Sequence, residues 1–292
     1  MTLYQLLTEG TKKLDKAGVP EARTDAQRLL LEAFQTDMVH FLMSRTEQLP
    51  REPAAVSAVS AYQAMIEKRC HRVPVQHILG SQEFMGLTFL VNRHVLIPRQ
   101  DTETLVEQVL KEQPCQDRQG KRLLDLCTGS GCIAISLMVK GGFEDVTATD
   151  LSEDALAVAG ENAYRLLQPG SRLKLCRGDL FQALKPGSKF DILVSNPPYI
   201  PTSEIGGLQP EVREHEPVMA LDGSTDGKEF YRRIAGEAKE WLNPGAALYL
   251  EIGYDQGEAV CQLLEQNGFN HIEVIKDLPG LDRVIRADFV QH

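Results

Sequence analysis

The sequence predicts an α/β chain in which a small helical bundle and a β-hairpin linker precede a mostly parallel sheet. Three observations carry that prediction. Residues 1–72 show helical periodicity and no strand-like alternation. Residues 73–98 are rich in β-formers around a turn candidate. From residue 99 onward strand and helix patterns alternate, which calls for a sheet covered by helices on both faces. The expected boundaries are therefore 1–72, 73–98 and 99–292.

In the front part, LYQLLTEGTKKL spaces Leu3, Leu6, Leu7 and Leu14 at a helical period. PEARTDAQRLLLEAF opens with Pro and acidic residues, as a helix N-terminus should. PAAVSAVSAYQAMIEKRCHR is a third amphipathic stretch. The linker holds two β-rich runs, Phe84 to Val91 and Val95 to Ile97, around Asn92-Arg93-His94. In the last part, KRLLDLC, DVTATD, RLKLCRGD, DILVSN and AALYLEIG read as strands, and HIEVIKD and RVIRADFV close the chain as two more. Between them TETLVEQVLKEQ, CIAISLMVKG, SEDALAVAGENAYRLL, GKEFYRRIAGEAKEWL and GEAVCQLLEQNG read as helices, with Ser152 a good N-cap. Ligands of such sheets bind at the carboxyl ends of the strands.

Composition removes several function classes. Hydrophobic residues make up 42% of 292 residues, enough for a sizeable core. A net charge of −10 argues against a chain whose main task is gripping a nucleic-acid backbone, and no direct nucleic-acid binding is expected. Cys70, Cys115, Cys127, Cys132, Cys176 and Cys261 form no C-x-x-C pair and no zinc spacing with His, which fits a reduced, cytoplasmic compartment. Glu211, His215 and Glu216 in PEVREHEP invite a metal reading, but their spacing matches no ligand set, and no metal is expected. The N-terminus lacks the pattern of a signal peptide, and no apolar run approaches the ~20 residues of a membrane helix.

The chemistry concentrates at strand ends. LLDLCTGSGCIA places Thr128-Gly129-Ser130-Gly131 between a strand and a helix, where glycines let backbone approach a ligand. It lacks the lysine of a phosphate-binding P-loop. Asp150 ends the next strand about 20 residues on, where a ribose-binding carboxylate belongs. After the third strand Asp179 can receive the exocyclic amino group of an adenine, with Leu180 and Phe181 to cover its ring. The set describes a pocket for an adenosine-bearing ligand without a pyrophosphate, which points to S-adenosyl-L-methionine.

The fourth strand runs into Asn196-Pro197-Pro198-Tyr199. Residues before proline are held extended, and prolines keep a carbonyl while losing the N–H. The Asn196 side-chain oxygen and the Pro197 carbonyl can then accept from one planar NH₂ group, with Tyr199 against its plane. Two acceptors favour charge build-up on a weakly nucleophilic nitrogen and aim its lone pair at a sulfonium methyl. Asn196, Pro197 and Tyr199 are the expected catalytic residues, and Asn196 to Tyr199 the expected substrate site.

That corner, with DLCTGSGCIA upstream, resembles the amino-methyltransferases of Rossmann-like fold, a group shared by adenine-N6 and protein glutamine enzymes. VLIPRQDTETLVEQVL, the stretch from Asn196 to Ile234, and LEIGYDQGEAV are together similar to the release factor glutamine methyltransferases, the HemK/PrmC family. The likeness spans essentially the whole chain. It implies a seven-stranded S-adenosyl-L-methionine-dependent methyltransferase sheet whose last strand is antiparallel, and a front bundle that recognises class 1 peptide chain release factors. It implies methylation of the glutamine in their Gly-Gly-Gln motif. By position, Cys127, Thr128, Gly129, Ser130, Gly131 and Asp150 would hold the methionine and ribose parts of the cofactor, and Asp179 and Leu180 its adenine; Asn196 would border the same cofactor. Two departures from the family pattern are Gln100, where many members have proline, and Cys127, where many have glycine; Cys127 is expected to take ordinary rather than left-handed dihedrals. Arg99, Asp101 and Glu103 stand at the domain junction, as helix caps or with a role of their own. Two alternatives stand beside this reading: a ribosomal-protein glutamine enzyme and an adenine-N6 enzyme of DNA or RNA.

Overall fold

The computed structural model describes residues 1–114, 118 and 120–290; of the cysteines read above, Cys115 lies outside the described residues. The chain forms two compact units. One takes Met1–Gly80 together with Gln209–His215, and the other takes Ser81–Leu208 and the described residues from Glu216 onward.

The first unit is helical: α1 (Leu3–Lys16), α2 (Ala22–Ala33), α3 (Met38–Ser44), α4 (Pro53–Cys70), α5 (Val75–Leu79) and, from the distant segment, α9 (Pro210–His215). Thr2 and Gln5 form a reciprocal capping box on α1, so two of the amides that a helix start leaves unpaired are satisfied. The leucines picked out by their spacing in α1 are all buried. Gly10 lets α1 meet α4 closely: a Cβ there would stand 2.0 Å from the Tyr62 hydroxyl, which donates to the Leu6 carbonyl. Arg69, buried, donates to Asp25 at 2.7 Å and to Glu211 at 2.8 Å, and Arg72 grips Glu211 with two further bonds. Two guanidinium groups thus hold Glu211.

One correction falls on the linker. It opens with α5, which starts after Pro74 and stops at left-handed Gly80. The hairpin strands are β1 (Ser81–Phe84) and β2 (Leu87–Leu90), with Phe84 opposite Leu87. The turn therefore sits at Met85-Gly86, both at positive φ, and not at Asn92-Arg93-His94. A two-residue turn of this hand usually announces itself by Asn or Asp at its first position. With Met there, the apolar run read straight through the turn.

The second unit carries a seven-stranded sheet in the order β5-β4-β3-β6-β7-β9-β8. Its strands are β3 (Arg122–Leu126), β4 (Asp145–Asp150), β5 (Arg172–Arg177), β6 (Phe190–Ser195), β7 (Leu242–Glu251), β8 (Phe269–Lys276) and β9 (Asp282–Phe289). Neighbours from β5 through β7 are parallel, and β9 lies antiparallel between β7 and β8. One face is covered by α6 (Glu103–Glu112), α7 (Cys132–Gly141) and the hairpin, whose Phe84 and Phe89 join Leu105 and Ile133 in one core. The other face packs α10 (Glu229–Glu237) and α11 (Gly257–Gln266) through Tyr231, Ile234, Val260 and Leu264. Between β4 and β5 runs α8 (Glu153–Leu166), capped by Ser152 as its sequence signalled. The strand order reverses between β3 and β4 on one side and β6 on the other, which opens a crevice at the carboxyl ends of these strands.

Candidate functional site

A cavity of about 360 Å³ fills that crevice, and it is bounded wholly by the second unit. Its first wall is the turn after β3. Thr128 donates its amide to the Thr149 carbonyl at 2.9 Å, and Ser195 donates its hydroxyl to the Leu126 carbonyl at 2.8 Å. Held on both sides, the chain bends at Cys127, whose φ is +60°. This corrects the expectation of ordinary dihedrals there. A cysteine in the left-handed region costs roughly 1–2 kcal/mol that a glycine would avoid. Burial and the nearby carboxylates of Asp150 and Asp125 push its thiol up, which favours the neutral form.

Asp125, wholly buried one residue before the strand end, shapes the glycine turn. Its Oδ2 accepts from the Thr128 hydroxyl at 2.6 Å. Asn162, equally buried on α8, donates to the Ser130 carbonyl at 2.9 Å and exchanges two bonds with the Leu90 backbone, so one amide ties the turn to β2. Cys127, Thr128, Gly129 and Ser130 line the cavity. Gly131 does not: it starts α7 at φ +81°, where a Cβ would meet Ile135 at 3.0 Å and Ala159 at 3.2 Å.

Asp150 lines the cavity at the end of β4. Its two oxygens accept from the Gly129 and Ser152 amides, each at 2.9 Å. Burial raises its pKa against the pull of those amides. Asp179 and Leu180 line the next wall. Asp179 pairs with Arg233 at 2.8 Å, and Leu180 is buried at φ +50°. Phe181 needs a correction: it turns wholly into the core and stacks on Trp241 with centroids 6.0 Å apart, because a 3₁₀ turn over Leu180–Ala183 points successive side chains about 120° apart. Phe230, three residues before Arg233 on α10, supplies the aromatic wall instead.

The corner after β6 contributes Asn196 and Pro198 to the lining, while Pro197 and Tyr199 stand behind it. Pro197 is buried, and Tyr199 packs on the core with its carbonyl accepting from Gln256 Nε2 at 3.0 Å. Burial pushes the Tyr199 phenol up to about 12, so it carries no charge at neutral pH. The long connection after the corner returns to it. Ile200 donates to the Leu221 carbonyl at 3.0 Å, and its own carbonyl accepts from Gly223 at 2.8 Å. Gly223 and Gly227 lie so close to Tyr199 that a Cβ on either would clash with its backbone.

The junction residues also find partners. Arg99 pairs with Glu216 at 2.6 Å, Asp101 with Arg283 at 3.5 Å, and Glu103 accepts from the Met85 amide at 2.6 Å. Asp125, Asn162, Phe230, Arg233, Thr102 and Glu251 escaped the sequence reading. The i,i+3 spacing of Phe230 and Arg233 on an amphipathic helix was a usable signal; the four others sit in runs that read simply as core or cap.

Two buried carboxyls make stability depend on pH. Burial, opposed by Thr128, pushes Asp125 up to about 7, and burial pushes Glu251 up to about 7 against Thr102 and Arg283. A carboxyl raised on folding stabilises fully below its unfolded pKa, and that contribution is lost as pH rises through the folded value. In the first unit Glu211 works the other way: burial pushes it up, but Arg72 and Arg69 outweigh burial and hold it at about 2, so its contribution is lost as pH falls through that value. Urea denaturation is expected to show unfolding free energy falling by about 5 kcal/mol between pH 5 and pH 8, with similar shares from the two carboxyls. Asp125→Asn should roughly halve that slope, leaving the Glu251 share; a slope unchanged in the variant would refute the assignment to Asp125.

Residues 5–80 match the family model described as "PrmC N-terminal domain", and residues 100–206 match "Methyltransferase small domain". The chain is 42% identical over 284 residues to a release factor glutamine methyltransferase of Geobacter sulfurreducens, covering 97% of this chain and 95% of that protein. It is 42% identical over 289 residues to one of Moorella thermoacetica, covering 98% of each. Among solved structures it is similar in fold to the Thermus thermophilus 16S rRNA N2 G1207 methyltransferase in complex with AdoMet and guanosine, with TM-score 0.50 and 18% identity over 72% of this chain and 49% of that one.

Proposed function

Because the chain belongs to the release factor glutamine methyltransferase family, we propose that it methylates the side-chain amide nitrogen of the Gly-Gly-Gln glutamine of class 1 peptide chain release factors. The observation that carries this reading is Asn196 at the wall of the cavity that the glycine turn, Asp150 and Asp179 also line. S-adenosyl-L-methionine fits that turn and would supply an electrophilic methyl on a positive sulfur. The fit rests on chemistry. Gly129 and Ser130 bring backbone to the cavity, Asp150 offers acceptors to ribose hydroxyls, and Gly178 leaves no room for a Cβ, which would stand 2.7 Å from Ala183. Asp179 offers an acceptor to an adenine amino group, Arg233 balances its charge, and Leu180 and Phe230 give apolar cover.

For the glutamine, the Asn196 Oδ1 and the Pro197 carbonyl are the acceptors for its NH₂ hydrogens, with Pro198 and Tyr199 fixing the corner. The chain needs no base before transfer, since the nitrogen sheds its proton after it has turned positive. Alignment and charge stabilisation are the catalytic terms. We assign release factor recognition to the helical unit, supported by its family match and by exposed apolar Met38, Val39, Leu42 and Met43 on α3. No described helix is long and apolar enough to cross a membrane, and action in the cytoplasm, where release factors work, belongs to the same reading.

The test offers labelled S-adenosyl-L-methionine with a class 1 release factor, ribosomal proteins, DNA and RNA in parallel. Label is expected on the release factor and is expected to vanish when the Gly-Gly-Gln glutamine is replaced. Label confined to nucleic acid or to a ribosomal protein would sink the proposal.

A further inference from the structure

We propose that Glu251, acting through Thr102, is the positioning residue that sets which way the Asn196 amide faces. The inference rests on the assignment of Asn196 to the substrate amide. Glu251 closes β7 beside the corner: Ser195 lies opposite Leu250 across the parallel pair, so the next residue along each strand is Asn196 and Glu251. The Glu251 side chain is buried, and its Oε2 has no hydrogen-bond partner among the described residues. A buried carboxylate is costly to keep, so its place one residue from the lining needs a reason.

The hydrogen-bond polarity supplies that reason. Asn196 Nδ2 donates to Thr102 Oγ1 at 3.3 Å. Thr102 and Asn196 both lie near enough to the Glu251 carboxyl to help hold its charge. An ionised carboxylate only accepts, so the Thr102 hydroxyl must donate to it and can only accept from Asn196. The NH₂ end of the amide is then fixed inward, and Oδ1 is left for the cavity. An amide turned the other way would meet the substrate NH₂ with its own NH₂, donor against donor.

A protonated Glu251 removes this constraint, because it can donate to Thr102 and let the chain of bonds reverse. Facing Glu251 from the surrounding elements are Arg283 on β9, Asp101 before α6, Tyr199 at the corner, Tyr231 on α10 and Cys132 on α7. Tyr231 spends its hydroxyl on the Glu251 backbone carbonyl at 2.9 Å, and Arg283 is shared with Asp277. Burial is the dominant influence and pushes the carboxyl up to about 7. Turnover therefore rises with pH as Glu251 ionises.

The experiment measures kcat and KM against pH with full-length protein, a class 1 release factor and labelled S-adenosyl-L-methionine. Glu251→Gln is expected to lower kcat about 10- to 100-fold, to leave KM and cofactor Kd within a few-fold, and to abolish the rise of kcat near pH 7. Glu251→Asp should restore the rise. Thr102→Val should reproduce the kcat loss, Thr102→Ser should reverse it, and the Thr102 pair decides the matter if Glu251→Gln does not fold. Wild-type kcat and an unchanged pH profile in Glu251→Gln, or equal activity of the two Thr102 variants, would overturn the positioning role while Asn196→Ala still loses turnover. Full turnover in Asn196→Ala would instead remove the reading on which the inference stands.

Discussion

Replacing Asn196 by alanine is expected to lower kcat about 100- to 1,000-fold, the loss typical of one preorganised polar group at a developing charge. Cofactor affinity should change only a few-fold. The asymmetry follows from where the residue sits. Asp150, Asp179 and the Cys127-to-Ser130 turn occupy the ends of β3, β4 and β5, whereas Asn196 ends β6 across the reversal of strand order. Alanine takes away Oδ1 and leaves the other walls in place. Single-turnover rates with saturating cofactor, beside cofactor titration, give the two numbers separately. Equal loss of both would make Asn196 a cofactor residue first and would shift the substrate role elsewhere on the corner.

Gly227→Ala is expected to damage the corner from behind. Gly227 has φ +70°, and a Cβ on it would stand 2.3 Å from the Tyr199 carbonyl and 2.8 Å from Gln256 Nε2. That carbonyl is the acceptor for Gln256, so neither neighbour can yield without breaking the bond between them. Left-handed strain and overpacking against backbone together predict a stability loss of about 2–5 kcal/mol. At a temperature where the variant remains folded, methyl transfer should still fall, because Tyr199 is displaced with the loop. Urea denaturation and transfer assays read the two effects. Wild-type stability in this variant would mean that the loop gives way freely, and the close packing would then have no role in holding the corner.

Much of the site was legible because its residues announce themselves by position. A glycine turn after one strand, an aspartate after the next, another after the third and Asn-Pro-Pro-Tyr after the fourth are local features, each written in a few adjacent residues. The structure brings Cys127, Thr128, Gly129, Ser130, Asp150, Asp179, Leu180, Asn196 and Pro198 around one cavity. Gly131, Pro197 and Tyr199 are not among the residues that border it. The misses share a cause. Leu180 and Phe181 are neighbours in sequence and both reach the core, but only Leu180 also borders the cavity, since successive side chains of a 3₁₀ turn point about 120° apart. Cys127 adopts left-handed dihedrals because two hydrogen bonds from other strands bend the chain there, overriding the preference of the residue itself.

The sequence by itself determined the class of fold, the run of strands and helices from residue 99, the glycine turn and the Asn-Pro-Pro-Tyr corner, since periodicity and punctuation are short-range properties of the chain. Only the tertiary structure decided which buried polar groups serve the site. Thr102 lies 94 positions from Asn196, Asn162 lies 72 from Leu90, and Arg233 reaches Asp179 from another helix. These partners are chosen by strand order and register, and a one-residue change of register would replace every one of them. Glu251 shows this most plainly: in sequence it is the last residue of an apolar strand, and in the fold it stands beside Asn196 at the end of the neighbouring strand.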